Sequence, residues 1–149
     1  MAKAKKTNSK KELHKKLWKI TSQLVRSQSC YCYTCGNCIP EIGKRHTGHF
    51  WTKGGHQASK YELDNLRVQC DSCNRWKGGN LAEYSARLLN EIGSERIEAL
   101  YKLAHTTKTV WTYEELELMI IERATLLKEL EYVFAQREMS TSRNIIYLH

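Results

Sequence analysis

Two cysteine knuckles restrict the fold of this chain more than any other feature. Cys32-x-x-Cys35-Gly36 and Cys70-x-x-Cys73 set four thiols in two tight turns. Four thiolates at these spacings suit a closed tetrahedral zinc site, and such a zinc is structural, tying distant stretches together. All six cysteines fall between positions 30 and 73. The N-terminus is basic and lacks the apolar stretch of a secretory signal, so a cytoplasmic protein is expected. There, paired C-x-x-C units read as metal ligands, not disulfides. Cys35-x-x-Cys38 repeats the same spacing and leaves the first knuckle ambiguous. Gly36, which eases the turn after the second ligand, favours Cys32 and Cys35 and leaves Cys30 and Cys38 as spare thiols.

The knuckles sit in a chain of 149 residues, enough for one domain or a small core with helical attachments. No apolar run is long enough to span a membrane. The formal charge is +8, and it is unevenly placed. Residues 1–28 carry nine lysines and arginines against Glu12 alone; residues 29–80 are net +3 and residues 81–149 net −3. A basic end and middle suit a polyanion, since each cation placed on a phosphate releases counterions.

Three regions follow from texture. Residues 1–28 read as a basic arm and a helix. Ser9-x-x-Glu12 is a capping box, and Leu13, Leu17, Ile20 and Leu24 form one apolar stripe ending near residue 27. Residues 29–80 lose helical period; short strands are predicted near 45–51 and 66–69, and a short helix from about Asp71. Residues 81–149 return to helices. Asn80-x-x-Glu83 is cap-like, and Gly93 stops a first helix, with Ser94 capping the next. Thr112-x-x-Glu115 opens a long helix to about residue 137, with Arg123 interrupting its seam. That helix packs either on its own domain or on a second copy, and a homodimer is expected.

Chemistry concentrates around the knuckles. His49 lies in Gly48-His49-Phe50, Asn65 precedes the second knuckle, and Asn74 directly follows Cys73. Phosphodiester hydrolysis needs a base for water, a cation for the developing charge and a group that holds the base. A neutral imidazole fits the first role, an amide such as Asn65 the third, and the Asn74 oxygen is a donor for a hard ion. Lys44, Arg45, Lys53, Arg67, Arg75 and Lys77 surround these positions, with Lys10, Lys15 and Lys16 on the first helix; phosphates are their natural partners. Trp51 and Trp76 fit either of two roles, stacking on exposed bases or filling a core around zinc.

These motifs together resemble the NinG/Rap family of lambdoid phage recombination nucleases. The resemblance runs from Cys32-Tyr-Thr-Cys35-Gly36 through Gly48-His49-Phe50, Lys53-Gly54-Gly55-His56 and Asp64-Asn65-Leu66-Arg67. It continues in Gln69-Cys70-Asp71-Ser72-Cys73-Asn74 and Gly79-Asn80-Leu81-Ala82-Glu83-Tyr84, about half the chain. It implies an α+β, mainly α fold with a small zinc-stabilised ββα-metal (HNH) core, flanked by the basic helix and the C-terminal helices. It also implies cleavage of branched DNA, such as Holliday junctions and displacement loops, with Mg²⁺ or Mn²⁺. The resemblance also implies phage or host recombination proteins as partners. The site is also similar to phage endonuclease VII, which implies Asn74 as a magnesium ligand. HNH sites usually carry an acid just before the base, and here that position is Gly48. His46, His56 and Asp71 are candidates to replace it, with His56 favoured. Two other readings stay open: a sequence-specific HNH endonuclease on linear duplex, and a non-catalytic zinc module that binds DNA.

Overall fold

The computed structural model describes residues 9–106 and 110–146, with side chains to residue 137. The basic arm expected at residues 1–8 lies outside the described residues. Helix α1 spans Lys10–Ser27, strand β1 His46–His49, strand β2 Leu66–Gln69, helix α2 Leu81–Ala104 and helix α3 Tyr113–Ile146. Among the described residues the architecture is α+β and mainly helical, with one two-stranded antiparallel sheet. No helix among them is long and apolar enough to cross a membrane.

The chain divides into two compact units, one joining the chain up to Ile20 with the chain from Thr112, the other running Thr21–Trp111. The boundaries drawn from sequence texture after residues 28 and 80 both fall inside the second unit. The reason is packing across them. Thr47 of β1 lies 3.0 Å (Oγ1 to Oγ) from Ser22 of α1. On the other side, the Tyr84 hydroxyl of α2 donates to the Gly48 and Asn65 carbonyls at 3.4 Å.

The first unit begins as its capping boxes require. Ser9 and Glu12 exchange hydrogen bonds, the Ser9 amide to Glu12 Oε2 at 2.7 Å and the Glu12 amide to Ser9 Oγ at 3.3 Å. Thr112 and Glu115 do the same at 2.8 and 3.1 Å, ahead of α3. Leu13 and Leu17 are buried on α1 while Lys11, Lys15, Lys16 and Lys19 are exposed. On α3 the buried stripe is Leu116, Ile120, Arg123 and Leu127, so the arginine that interrupts the apolar seam lies within it. Leu118, Ile121 and Val133 are exposed. α3 runs to Ile146, beyond the end near residue 137 that periodicity predicts.

In the second unit, β1 and β2 pair with His46 opposite Gln69 and His49 opposite Leu66. α2 breaks at Gly93, whose φ of 78° and ψ of 167° are open only to a residue without a Cβ. The two-helix reading of this stretch therefore has its break at the expected residue. Tyr84, Leu88, Ile92 and Leu100 form the core, with Tyr33, Phe50, Trp51 and Ile97 packed against it. One cap differs from expectation. Asn80 takes the left-handed conformation (φ 50°), and its side chain makes no capping bond to α2. Its amide instead lies 3.8 Å from the Cys73 sulfur. A left-handed backbone at this position carries the side chain away from the first turn and toward the knuckle.

Candidate metal centre and histidine site

The hairpin carries the second knuckle from the end of β2 to a position beside the first. The ligand atoms of Cys32, Cys35, Cys70 and Cys73 all lie within 4.8 Å of one another. Cys35 Sγ and Cys70 Sγ are 3.8 Å apart. Four Zn–S bonds of about 2.3 Å in a tetrahedron require a sulfur–sulfur edge of about 3.8 Å. The donor set therefore fits a structural metal such as zinc. The choice of Cys32 over Cys38 agrees with this grouping, and Gly36 has the left-handed φ of 75° that the knuckle turn uses. Sulfur lone pairs also meet donors: the Cys73 amide lies 3.4 Å from Cys70 Sγ, and the Thr34 hydroxyl 3.5 Å from Cys32 Sγ.

A bound cation would offset the repulsion between thiolates this close. Burial opposes charge on Cys32, but amides of Cys70, Cys35 and Thr34 and the Thr34 hydroxyl outweigh it and bring its pKa down to about 6. Burial pushes Cys35 up to about 12 and raises Cys70 as well, with neighbouring thiols adding to both shifts.

His49 closes β1 on the face opposite His46. Its ring is half-buried, and Nε2 lies 3.2 Å from the Lys60 carbonyl. A carbonyl can only accept, so Nε2 carries the proton and Nδ1 the lone pair. Burial first, then the charges of Lys53 and Lys60, lower the His49 pKa to about 4. The imidazole is therefore neutral at physiological pH. Lys60 is the residue that sequence reasoning overlooked. Its carbonyl holds the ring and its ammonium adds positive charge nearby, yet it stands in the unremarkable run Ser59-Lys60-Tyr61. Only the fold brings it to His49.

Asn65 is fully buried, and its amide spans the loop that follows His49. Oδ1 accepts from the Trp51 amide at 2.7 Å, while Nδ2 donates to the carbonyls of Trp51 at 2.9 Å and Ser59 at 3.1 Å. The tautomer-fixing role given to Asn65 thus falls to the Lys60 carbonyl, and Asn65 organises the loop. Asn74 lies in a π-helical turn, Ser72–Trp76, directly after the second knuckle, and is half-buried.

The groups expected to share an ion with Asn74 have other geometry. His56 Nδ1 lies 3.1 Å from the Ala104 carbonyl, and its ring packs at about 5 Å against Trp51 and His105. His46 Nε2 is 3.3 Å from Asp71 Oδ1. Asp71 also accepts from Arg75 and from the Trp76 indole. Among the described residues, the cysteine quartet is the only group of three or more His, Cys, Asp or Glu able to hold one ion. The imidazole of His56 thus sits against the end of α2.

Gly48 has a packing reason for lacking a donor side chain. A Cβ there would overlap Gln69 Oε1 and fall 2.7 Å from Gln69 Cδ. Gln69 is fully buried and donates from Nε2 to Thr34 Oγ1 at 3.1 Å and to the Gly79 carbonyl at 2.7 Å. The volume an acidic residue would occupy is filled by this amide.

The expected phosphate contacts divide. Arg45 directs its guanidinium to backbone carbonyls, Ile39 at 2.8 Å, Arg26 at 3.0 Å and Pro40 at 2.8 Å. Arg67 is largely buried, paired with Glu91 at 2.8 Å and bonded to the Leu63 and Leu66 carbonyls. Both act as internal clamps, because their guanidinium donors are taken up by backbone carbonyls and, for Arg67, by Glu91. Lys44 pairs with Glu41 at the surface, and Lys10 lies over the Tyr113 ring. Lys15, Lys16, Lys53, Arg75 and Lys77 are exposed. Trp51 packs on the core, whereas Trp76 is 82% exposed.

The fold and the quartet define a small α+β protein with a four-cysteine centre able to hold a structural metal. Residues 1–132 match the family described as Bacteriophage Lambda NinG protein, and the chain belongs to that family. Protein ninG of Escherichia phage lambda is 28% identical over 105 residues, covering 70% of this chain and 50% of that protein. Protein ninG of Escherichia phage 933W matches with the same identity and coverage, and that of Salmonella phage P22 is 27% identical over 105 residues. The chain spans about half the length of these curated relatives. No solved structure matches it.

Proposed function

We propose that this chain is an HNH-type endodeoxyribonuclease that hydrolyses phosphodiester bonds in branched DNA, with His49 as its base. One observation carries the reading. A half-buried histidine, kept neutral by burial and held in one tautomer by the Lys60 carbonyl, ends the first strand of a β-hairpin whose other strand leads into a knuckle able to hold a metal. In this scheme His49 Nδ1 takes a proton from water, the water oxygen attacks phosphorus, and the P–O bond to the leaving strand breaks in line. Lys53 and Lys60 supply positive charge for the phosphate. The quartet holds zinc and keeps the hairpin and the π-helical turn in register. Dependence on Mg²⁺ or Mn²⁺ comes from the family resemblance, and Asn74 is the donor this chain offers it. A homodimer, one copy per strand, belongs to the same proposal.

A second reading rests on the cysteine quartet alone: a zinc module that binds DNA without cutting it. Matched linear, forked and four-way DNA, incubated with Mg²⁺ and either wild type or His49→Ala, separates the two. The nuclease reading expects cleavage of the branched substrates, reduced about 10²–10⁴-fold in the variant, as for loss of a general base. Absence of cleavage by wild type leaves the binding module. Equal cleavage of linear DNA removes the preference for branches.

A further inference from the structure

Trp76 is the most exposed large apolar side chain among the described residues. Its indole is nevertheless anchored. Nε1 donates to Asp71 Oδ2 at 3.1 Å, and Asp71 Oδ1 is held by Arg75 and by His46 of β1, each at 3.3 Å. The π-helical turn creates this anchor. Its wider winding sets residues five apart side by side, as in the Lys77 amide to Ser72 carbonyl bond of 2.9 Å, and so brings Trp76 over Asp71. The turn then folds back on the hairpin. The Gly79 amide bonds the Cys73 carbonyl at 2.9 Å, and a Cβ on Gly79 would lie 4.0 Å from the His49 carbonyl. Arg75 and Lys77 precede and follow Trp76 in the chain and are exposed.

Holding a tryptophan in water by one edge forgoes the gain of burying it. The arrangement makes sense where a flat apolar surface is to be covered by a ligand. Cations at the two neighbouring positions suit an anionic ligand with an aromatic face. We infer that Trp76, held by the Asp71 bracket, is a stacking platform for an unpaired nucleobase of DNA, with Arg75 and Lys77 on the adjacent phosphates. A fully paired duplex hides its base faces, so this contact selects branch points and single strands. The assignment rests on the branched-DNA reading for its ligand, but not on catalysis.

The test is binding of the full chain, zinc-loaded and without Mg²⁺, to a four-way junction, a single-stranded oligonucleotide and a linear duplex. The junction carries 2-aminopurine at its branch. Trp76→Ala should weaken binding to the junction and the single strand by about tenfold and leave the duplex within about twofold, as for loss of one stacked base. Trp76→Phe should keep most of the affinity. Wild type should quench 2-aminopurine and Trp76→Ala should not. Unchanged affinity of Trp76→Ala for all three DNAs, or an equal loss on duplex, overturns the inference. Binding through Trp76 without any cleavage under Mg²⁺ would refute the nuclease reading alone, and junction cleavage with no dependence on Trp76 would refute this one alone.

Discussion

The depressed pKa of His49 makes stability depend on pH in a way that can be isolated. An unfolded histidine titrates near 6.5, and in the fold the value falls to about 4, first through burial and then through Lys53 and Lys60. Between these values the unfolded chain binds a proton that the native chain refuses, so stability rises with pH. The contribution is fully present above about pH 6.5 and is lost as pH falls toward 4. From pH 7.5 to 5 the linkage removes about 2 kcal/mol, and about 3 kcal/mol over the whole window. Urea unfolding with excess zinc, at both pH values, gives the wild-type loss. His49→Gln keeps a donor for the Lys60 carbonyl and cannot titrate, so its loss should be smaller by about 2 kcal/mol. The other histidines and the cysteine cluster are common to both proteins and cancel. Equal losses would refute the reasoning. So would a histidine ring resonance of residue 49 titrating near 6.5 by NMR. If His49 is the base, cleavage should also show no decline near pH 6.5, since the imidazole stays neutral to about pH 4.

Three further outcomes follow from the packing. Cys32→Ser should lose bound zinc and the cooperative unfolding transition, whereas Cys38→Ser should retain about one zinc per chain by mass spectrometry under native conditions. Gly48→Ala should cost about 1–3 kcal/mol in urea unfolding because its methyl group meets the buried Gln69 amide; pairing it with Gln69→Ala should recover part of that loss. Asn65→Ala should cost about 3 kcal/mol by the same measurement, since it strands buried partners at Trp51 and Ser59.

Much of the framework was legible because the signals are local. Both capping boxes close as Ser9-x-x-Glu12 and Thr112-x-x-Glu115 predict, since their partners are three residues apart. The strands fall within the predicted stretches, and Gly93 breaks α2 because its backbone needs a residue without a Cβ. The site was less legible. Arg45 and Arg67 look like phosphate ligands in a basic stretch, yet their partners are carbonyls and Glu91, distant in sequence. The hydrogen bond from the ring of His49 to the Lys60 carbonyl has no sequence signature.

Spacing and the glycine after the first knuckle pointed to a four-thiol cluster able to hold a metal, because two C-x-x-C turns have few other uses together. Spacing also determined the helices, whose caps and stripes repeat within a few residues. Only the tertiary structure decided which charges face solvent, which tryptophan is core and which is exposed, and why position 48 has no side chain. Those outcomes depend on what crosses the hairpin from β2, α1 and α2: Gln69 beside Gly48, Glu91 on Arg67, and the Arg26 carbonyl on Arg45. Contacts between residues far apart in the chain are set by the path of the backbone, and no local pattern encodes them.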